Sequence, residues 1–165
     1  MADIARRAGI SRQALYLHFA TRAELLIAVT HHIDEVKGVQ ERLVPSHTAR
    51  SGIERLDAHI KGWGNYIPEI YAIAKALLAV GDTDEAAAEA WDERMAAMSE
   101  GCKAAIGALK RDNTPAPEHS PDEATDILWA ILSVRNWEQL TMGCGWPQER
   151  YIETLKSLAR RILVA

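Results

Sequence analysis

The chain has 165 residues, 48% of them apolar and 25% charged, with a formal net charge of −4. That composition supplies a real hydrophobic core and excludes a disordered chain, and the acidic balance excludes a protein coated in basic surface. No apolar run approaches the ~20 residues that a bilayer span needs, and the first residues lack the charged-then-apolar layout of a secretion signal, so a cytoplasmic protein with no membrane partner is expected.

Alternating strand patterns are absent and helical periodicity recurs almost throughout, which predicts an all-α fold. A first helix runs from about Ala2 to Ala8 and stops at Gly9, a residue suited to the positive φ of a tight turn. Ser11 is a good N-cap for a second helix reaching about Phe19. Thr21 opens a third, with Glu24 three residues on to complete a capping box. Its apolar stripe is Leu25, Val29, Ile33 and Val36, and it fades before Pro45.

The next helix starts near Ser51 with Ile53, Leu56, Ile60 and Trp63. Gly62, Gly64 and Pro68 predict a break, then a short helix from about Pro68 to Val80. Gly81-Asp82-Thr83 reads as a turn before a long helix from about Asp84 to Lys110. Residues 111–121, with Pro115, Pro117 and Pro121 among polar neighbours, read as a loop. Ser120-Pro121-Asp122-Glu123 restarts a helix with N-cap, Pro at the first position and Glu at the third. That helix is predicted to run to about Thr141, apolar on more than one face. Gly143-Cys144-Gly145 breaks it, and Pro147 opens the last helix.

The charges are unevenly placed. Arg6, Arg7, Arg12 and Arg22 outnumber Asp3 and Glu24 in the first 30 residues, so a basic end sits on an acidic body. That is the layout of a nucleic-acid reader with a separate regulatory part. The run from Ala2 to Phe19 also meets the demands of a helix-turn-helix: small Ala5 where two helices cross, Gly9 in the turn, and Ile4, Ala8, Ile10, Leu15 and Phe19 at inward spacing. The second helix of such a unit enters the major groove with its first residues nearest the bases. Here these are Arg12 and Gln13, whose side chains pair bidentately with guanine and adenine.

The segments Ala-Asp-Ile-Ala-Arg-Arg-Ala-Gly-Ile-Ser, Leu15-Tyr16-Leu17-His18-Phe19 and Thr21-Arg22-Ala23-Glu24-Leu25 resemble the DNA-binding signature of the TetR family, over about residues 2–29. The resemblance implies that Arg12, Gln13 and Leu17 approach base edges while Tyr16, His18 and Arg22 contact the phosphate backbone. It implies a helix-turn-helix over residues 1–29 and an antiparallel helical ligand-binding and dimerisation body over 30–165. The last two helices are similar to the pair with which the family builds a four-helix bundle between subunits. Family members carry a further amphipathic helix before this motif, and the sequence starts at the motif's first helix. The expectation is therefore a natural form with more N-terminal residues. As written, Ile4, Leu15 and Phe19 would face water and DNA binding would be weak.

The function expected is a homodimeric DNA-binding transcriptional regulator, a repressor released from double-stranded operator DNA by a small apolar or aromatic effector. The alternative is a helical ligand- or protein-binding dimer that has lost DNA binding. Trp63, Tyr66, Trp91, Met95 and Trp137 are the candidate effector-binding residues, since aromatic and Met side chains line apolar pockets. Ile127, Ile131, Val134, Leu155, Leu158 and Ile162 are the candidate dimer seam. His31 and His32 are adjacent and point about 100° apart on a helix, a poor chelating geometry. Cys102 and Cys144 lie outside any Cys/His cluster. No metal, cofactor or enzymatic motif is assigned.

Overall fold

The computed structural model describes residues 1–165 as nine α-helices and one π-helical segment: α1 (Ala2–Arg7), α2 (Arg12–His18), α3 (Arg22–Val36), α4 (Val39–His47), α5 (Gly52–Val80), α6 (Glu85–Arg111), α7 (Pro121–Ile131), α8 (Val134–Trp137), the π-helical segment Glu138–Gly143, and α9 (Gln148–Leu163). There is no sheet; one antiparallel bridge ties Pro115 to Val164 and folds the C-terminus onto the 114–116 loop.

The local signals in the head behave as their chemistry requires. Gly9 takes φ +67° between α1 and α2. Ser11 Oγ accepts the Ala14 N–H at 3.0 Å, and Thr21 Oγ1 accepts the Glu24 N–H at 3.1 Å. Glu24 reaches one residue further back than a standard capping box and accepts from the Ala20 N–H. Leu15, predicted to face water, is instead buried together with Ala5, Ala23 and Leu25, while Phe19 is half-buried and Ile4 exposed. Small Ala5 and Ala23 let the short helices close over Leu15.

Two helices meet the sequence expectation only after correction. Helix α5 does not break at Gly62, Gly64 or Pro68; it is continuous for 29 residues. Pro68 has no N–H to give the Gly64 carbonyl, and proline in a helix interior normally kinks it for that reason. Here Gln148 Nε2 of α9 donates to the Gly64 oxygen at 2.6 Å, and Gln148 Oε1 accepts the Trp137 indole N–H at 2.8 Å. A side chain 84 residues away supplies the missing donor. The long helix predicted over residues 122–141 is, conversely, divided. Ser133 Oγ caps α8 by accepting the Asn136 N–H, and Asn136 Nδ2 donates back to the Ala130 carbonyl at 2.8 Å. The Leu132 carbonyl freed at this junction accepts the buried Trp63 indole N–H at 2.7 Å.

The third helix, expected to fade before Pro45, instead ends at Val36, and a separate helix α4 carries the chain through Pro45 to His47. Gly38, at φ +62°, separates it from α3, and Pro45 falls in its last turn, close to where the helix ends anyway. At the far end of α5, a Cβ added to Gly52 would meet the Leu109 backbone nitrogen at 2.6 Å, so only glycine permits that crossing with α6.

The core is built by α5, α6, α7, α8 and α9 around Leu56, Ile60, Ile67, Leu109, Leu128 and Tyr151, all essentially inaccessible to solvent. A second, small cluster of Leu77, Ala87 and Ala90 receives Leu26 and Ile27 from α3, which seats the head on the body. Polar pairs follow the same line: Arg22–Asp84, His31–Glu93 and Asp34–Arg94 occur in the same order along α3 and α6.

Candidate nucleic-acid interface and ligand cavities

Helix α2 presents Arg12, Gln13, Tyr16, Leu17 and His18 to solvent. Leu17 is 80% exposed. The Arg12 guanidinium stacks over the Tyr16 ring at 5.4 Å from its centroid, which orders a long side chain beside the tip of the helix. None of these five pairs with a carboxylate.

Arg22 differs. Its guanidinium is bonded to Asp84, the N-cap of α6, and that contact holds the Asp84 carboxyl below its ordinary range. The residue expected on a phosphate is therefore engaged by the body, a contact that sequence separation hides.

Two cavities lie in the body. One, of about 200 Å³, is walled by Trp63, Trp91, Met95, Met98, Trp129 and Leu132 where α5 and α6 meet the α7–α8 junction. Of the five predicted effector-binding residues, Trp63, Trp91 and Met95 meet there. Trp137 lines neither cavity: it packs on Tyr71, ring centroids 5.0 Å apart, and its N–H is taken by Gln148. Trp129 also lines the wall and is 41% exposed.

The other cavity, of about 190 Å³, lies between α3, α4, α5 and α6, and Trp63, Tyr66 and Met98 form part of its wall. Its remaining wall is polar: Asp34, Arg42, Arg55, His59 and Arg94. Arg94 pairs with Asp34 at 2.7 Å, and the Tyr66 hydroxyl donates to the same carboxylate. Burial, then the Asp34 contact, pushes the Tyr66 phenol up. Arg42 bonds Glu69 at 2.5 Å. Burial, then the neighbouring Arg55 and His47, lowers His59 to about 4.

On the predicted dimer seam, Val134 and Leu155 are buried inside the chain's own core, Ile127, Ile131 and Ile162 are half-buried, and Leu158 is exposed. Val134 and Leu155 therefore have no side-chain surface left for a partner. Cys102 is buried and Cys144 exposed. The Cys102 thiol is pushed up to about 12 by burial.

A basic recognition helix mounted through α3 on a cavity-bearing helical body defines a helix-turn-helix protein. Residues 1–29 match the model of the family described as bacterial regulatory proteins, tetR family. A stretch of 69 residues is 38% identical to the HTH-type transcriptional activator FasR of Mycolicibacterium smegmatis, covering 41% of this chain and 30% of that protein. The fold is that of a TetR-family transcriptional regulator from Rhodococcus sp. (TM-score 0.73, 21% identity, 98% of this chain and 86% of that one). It is also that of a transcriptional regulator from Saccharomonospora viridis crystallised with choline (TM-score 0.72, 16% identity, 99% and 85%). The chain thus carries the tetR-family DNA-binding segment over residues 1–29 and shares the fold of these regulators along nearly its whole length, while spanning less than a third of the curated relative it matches. No helix is long and apolar enough to cross a membrane.

Proposed function

We propose that the chain is a transcriptional regulator that binds double-stranded operator DNA as a homodimer in the cytoplasm and is released by a small molecule bound in its helical body. The observation that carries this reading is the exposed, carboxylate-free row of Arg12, Gln13, Tyr16, Leu17 and His18 on α2. Arg12 and Gln13 read bases, with Leu17 against them; Tyr16, His18 and Arg22 hold phosphates. Two heads must sit ~34–36 Å apart to meet successive major grooves on one face of the duplex. Dimerisation through α7 and α9 supplies that pairing, using the half-buried Ile127, Ile131 and Ile162 and the exposed Leu158 and Trp129.

The effector is a small apolar or aromatic molecule in the body cavities lined by Trp63, Tyr66, Trp91 and Met95. The choline complex of the Saccharomonospora protein supports a small-molecule ligand for a body of this fold. Release of DNA requires that the ligand bind one conformer of the head–body joint better than the other, since a tight but indifferent ligand shifts nothing. Repression is the sign we propose, because an occupied operator blocks a promoter; a promoter–reporter assay assigns it.

The test separates readout from anchoring. Arg12→Ala should relax preference at one operator position and cost ~1–3 kcal/mol, whereas Arg22→Ala should weaken all sequences alike and lower the salt slope by about one. The inverse pattern overturns the assignment of roles.

A further inference from the structure

We infer that the effector is a small organic anion, and that its charged end is held in the cavity between α3, α4, α5 and α6 by Arg55. This rests on the effector reading above and gives it a chemistry.

The cavity wall carries three arginines against one carboxylate, Asp34. Two of the arginines are already neutralised, Arg94 by Asp34 and Arg42 by Glu69. Arg55 is not. Its side chain makes no ion pair or hydrogen bond, and its Nε is buried without a partner. An arginine nitrogen removed from water and left unpaired is costly, and its planar fork matches a carboxylate. His59, almost fully buried beside it, has no acid of its own; its Nε2 faces the Cys102 sulfur at 3.6 Å. The one charged side chain in the wall without a counter-charge is therefore a cation, Arg55, and an anion is the ligand that satisfies it.

The size and the remaining wall set the rest of the molecule. An apolar cavity of ~150 Å³ holds benzene, so a space of about 190 Å³ takes a single ring and a carboxylate. Trp63 and Met98 supply the apolar side for that ring, and both also wall the neighbouring tryptophan-lined cavity. A cation, such as the choline held by the Saccharomonospora protein, would meet the wrong charge at Arg55.

Asp34 connects the site to the head. It lies on α3, the helix that carries the reading head, and its ties to the body are Arg94 and the Tyr66 hydroxyl. An anion entering the cavity repels the Asp34 carboxylate and competes for Arg94, which loosens α3 from α6.

Benzoate, benzamide and benzylammonium, equal in ring size and different in charge, are the probes. Titration calorimetry on the full chain should place benzoate at least about tenfold tighter than benzamide, with benzylammonium weakest. Arg55→Gln should bring benzoate to the level of benzamide. Any other order of the three probes on the unsubstituted chain overturns the inference, whether or not the variant folds. DNA binding, followed by anisotropy of a labelled operator, should weaken with benzoate in the unsubstituted chain and stay unchanged in Asp34→Asn, which still binds benzoate. If benzoate binds as described but DNA affinity does not respond, the anion site stands and the effector reading fails. If indole or another neutral ring releases DNA while benzoate does not bind, the effector reading stands and the anion site fails.

Discussion

Gln148 offers the sharpest test of why the long helix α5 survives its proline. Its side chain satisfies two groups at once, the Gly64 carbonyl at 2.6 Å and the Trp137 indole N–H at 2.8 Å. Both owners are buried, Trp137 at 7% exposure. Leaving a buried donor or acceptor unpaired costs ~1–3 kcal/mol each, so Gln148→Ala should cost about 2–6 kcal/mol. At a few degrees per kcal/mol for a chain of this size, Tm should fall by roughly 5–15 °C. Pro68→Ala restores the N–H that the Gly64 carbonyl lacks. It should therefore recover about 1–3 kcal/mol more in the Gln148→Ala background than in the unsubstituted chain. Urea unfolding of all four proteins at one protein concentration measures that coupling, the fixed concentration being needed for a dimer. Strict additivity, within about 0.5 kcal/mol, would refute the claim that Gln148 stands in for the missing helical donor.

The remaining predictions address the seam, the buried histidine and the head. Leu158→Glu should convert the dimer into a folded monomer in sedimentation, whereas Leu155→Glu, buried in the core, should unfold the chain; a folded monomer from Leu155→Glu would place that side chain in the seam after all. His59 titrates near 4 in the folded state against an ordinary 6.5, so the unfolded chain binds the extra proton first. Stability should hold above pH 6.5 and fall by ~3 kcal/mol as pH drops from 6.5 toward 4. The depressed carboxyls Asp84, Glu123, Glu138 and Glu153 lose their contribution only below their ordinary values of 3.8 to 4.5. Unfolding of His59→Leu should lack the slope between pH 6.5 and 4.5. Asp84→Asn frees Arg22 from its pair with the body and should tighten binding to every duplex about equally, with no change in preferred sequence; weaker binding would mean that the pair orients Arg22 for DNA.

The head was legible because its signals are local. Gly9 for the turn, Ser11 and Thr21 as caps, and Arg12 and Gln13 at the tip of α2 each act within four residues of themselves. The body was legible only where this held, as at the Ser120–Glu123 capping box, whose two bonds form at 2.8 and 3.3 Å. It failed where a distant partner decides. Pro68 breaks a helix unless Gln148 serves its orphan carbonyl. Ser133 and Asn136 are a visible cap pair, but the apolar run around them masks it. Leu155 and Leu158 are three apart on α9, and periodicity alone cannot say that one faces the core and the other solvent. The cationic cavity was missed for the same reason: Arg55, Arg94 and Asp34 are scattered along the chain, and only the packing of α3 against α6 gathers them.

The central claim is sequence-specific recognition of duplex DNA by α2. Selection of duplexes from a random library by this chain, followed by anisotropy titration of the enriched duplex and a scrambled one at a single stated salt concentration, tests it most directly. Because Leu15 is buried rather than facing water, the account predicts, against the sequence expectation of weak DNA binding, enrichment of a two-fold symmetric site and an affinity ratio of at least ~10³ over the scrambled duplex. Both affinities should fall steeply with salt. No enrichment, or equal affinity for the two duplexes, would contradict it.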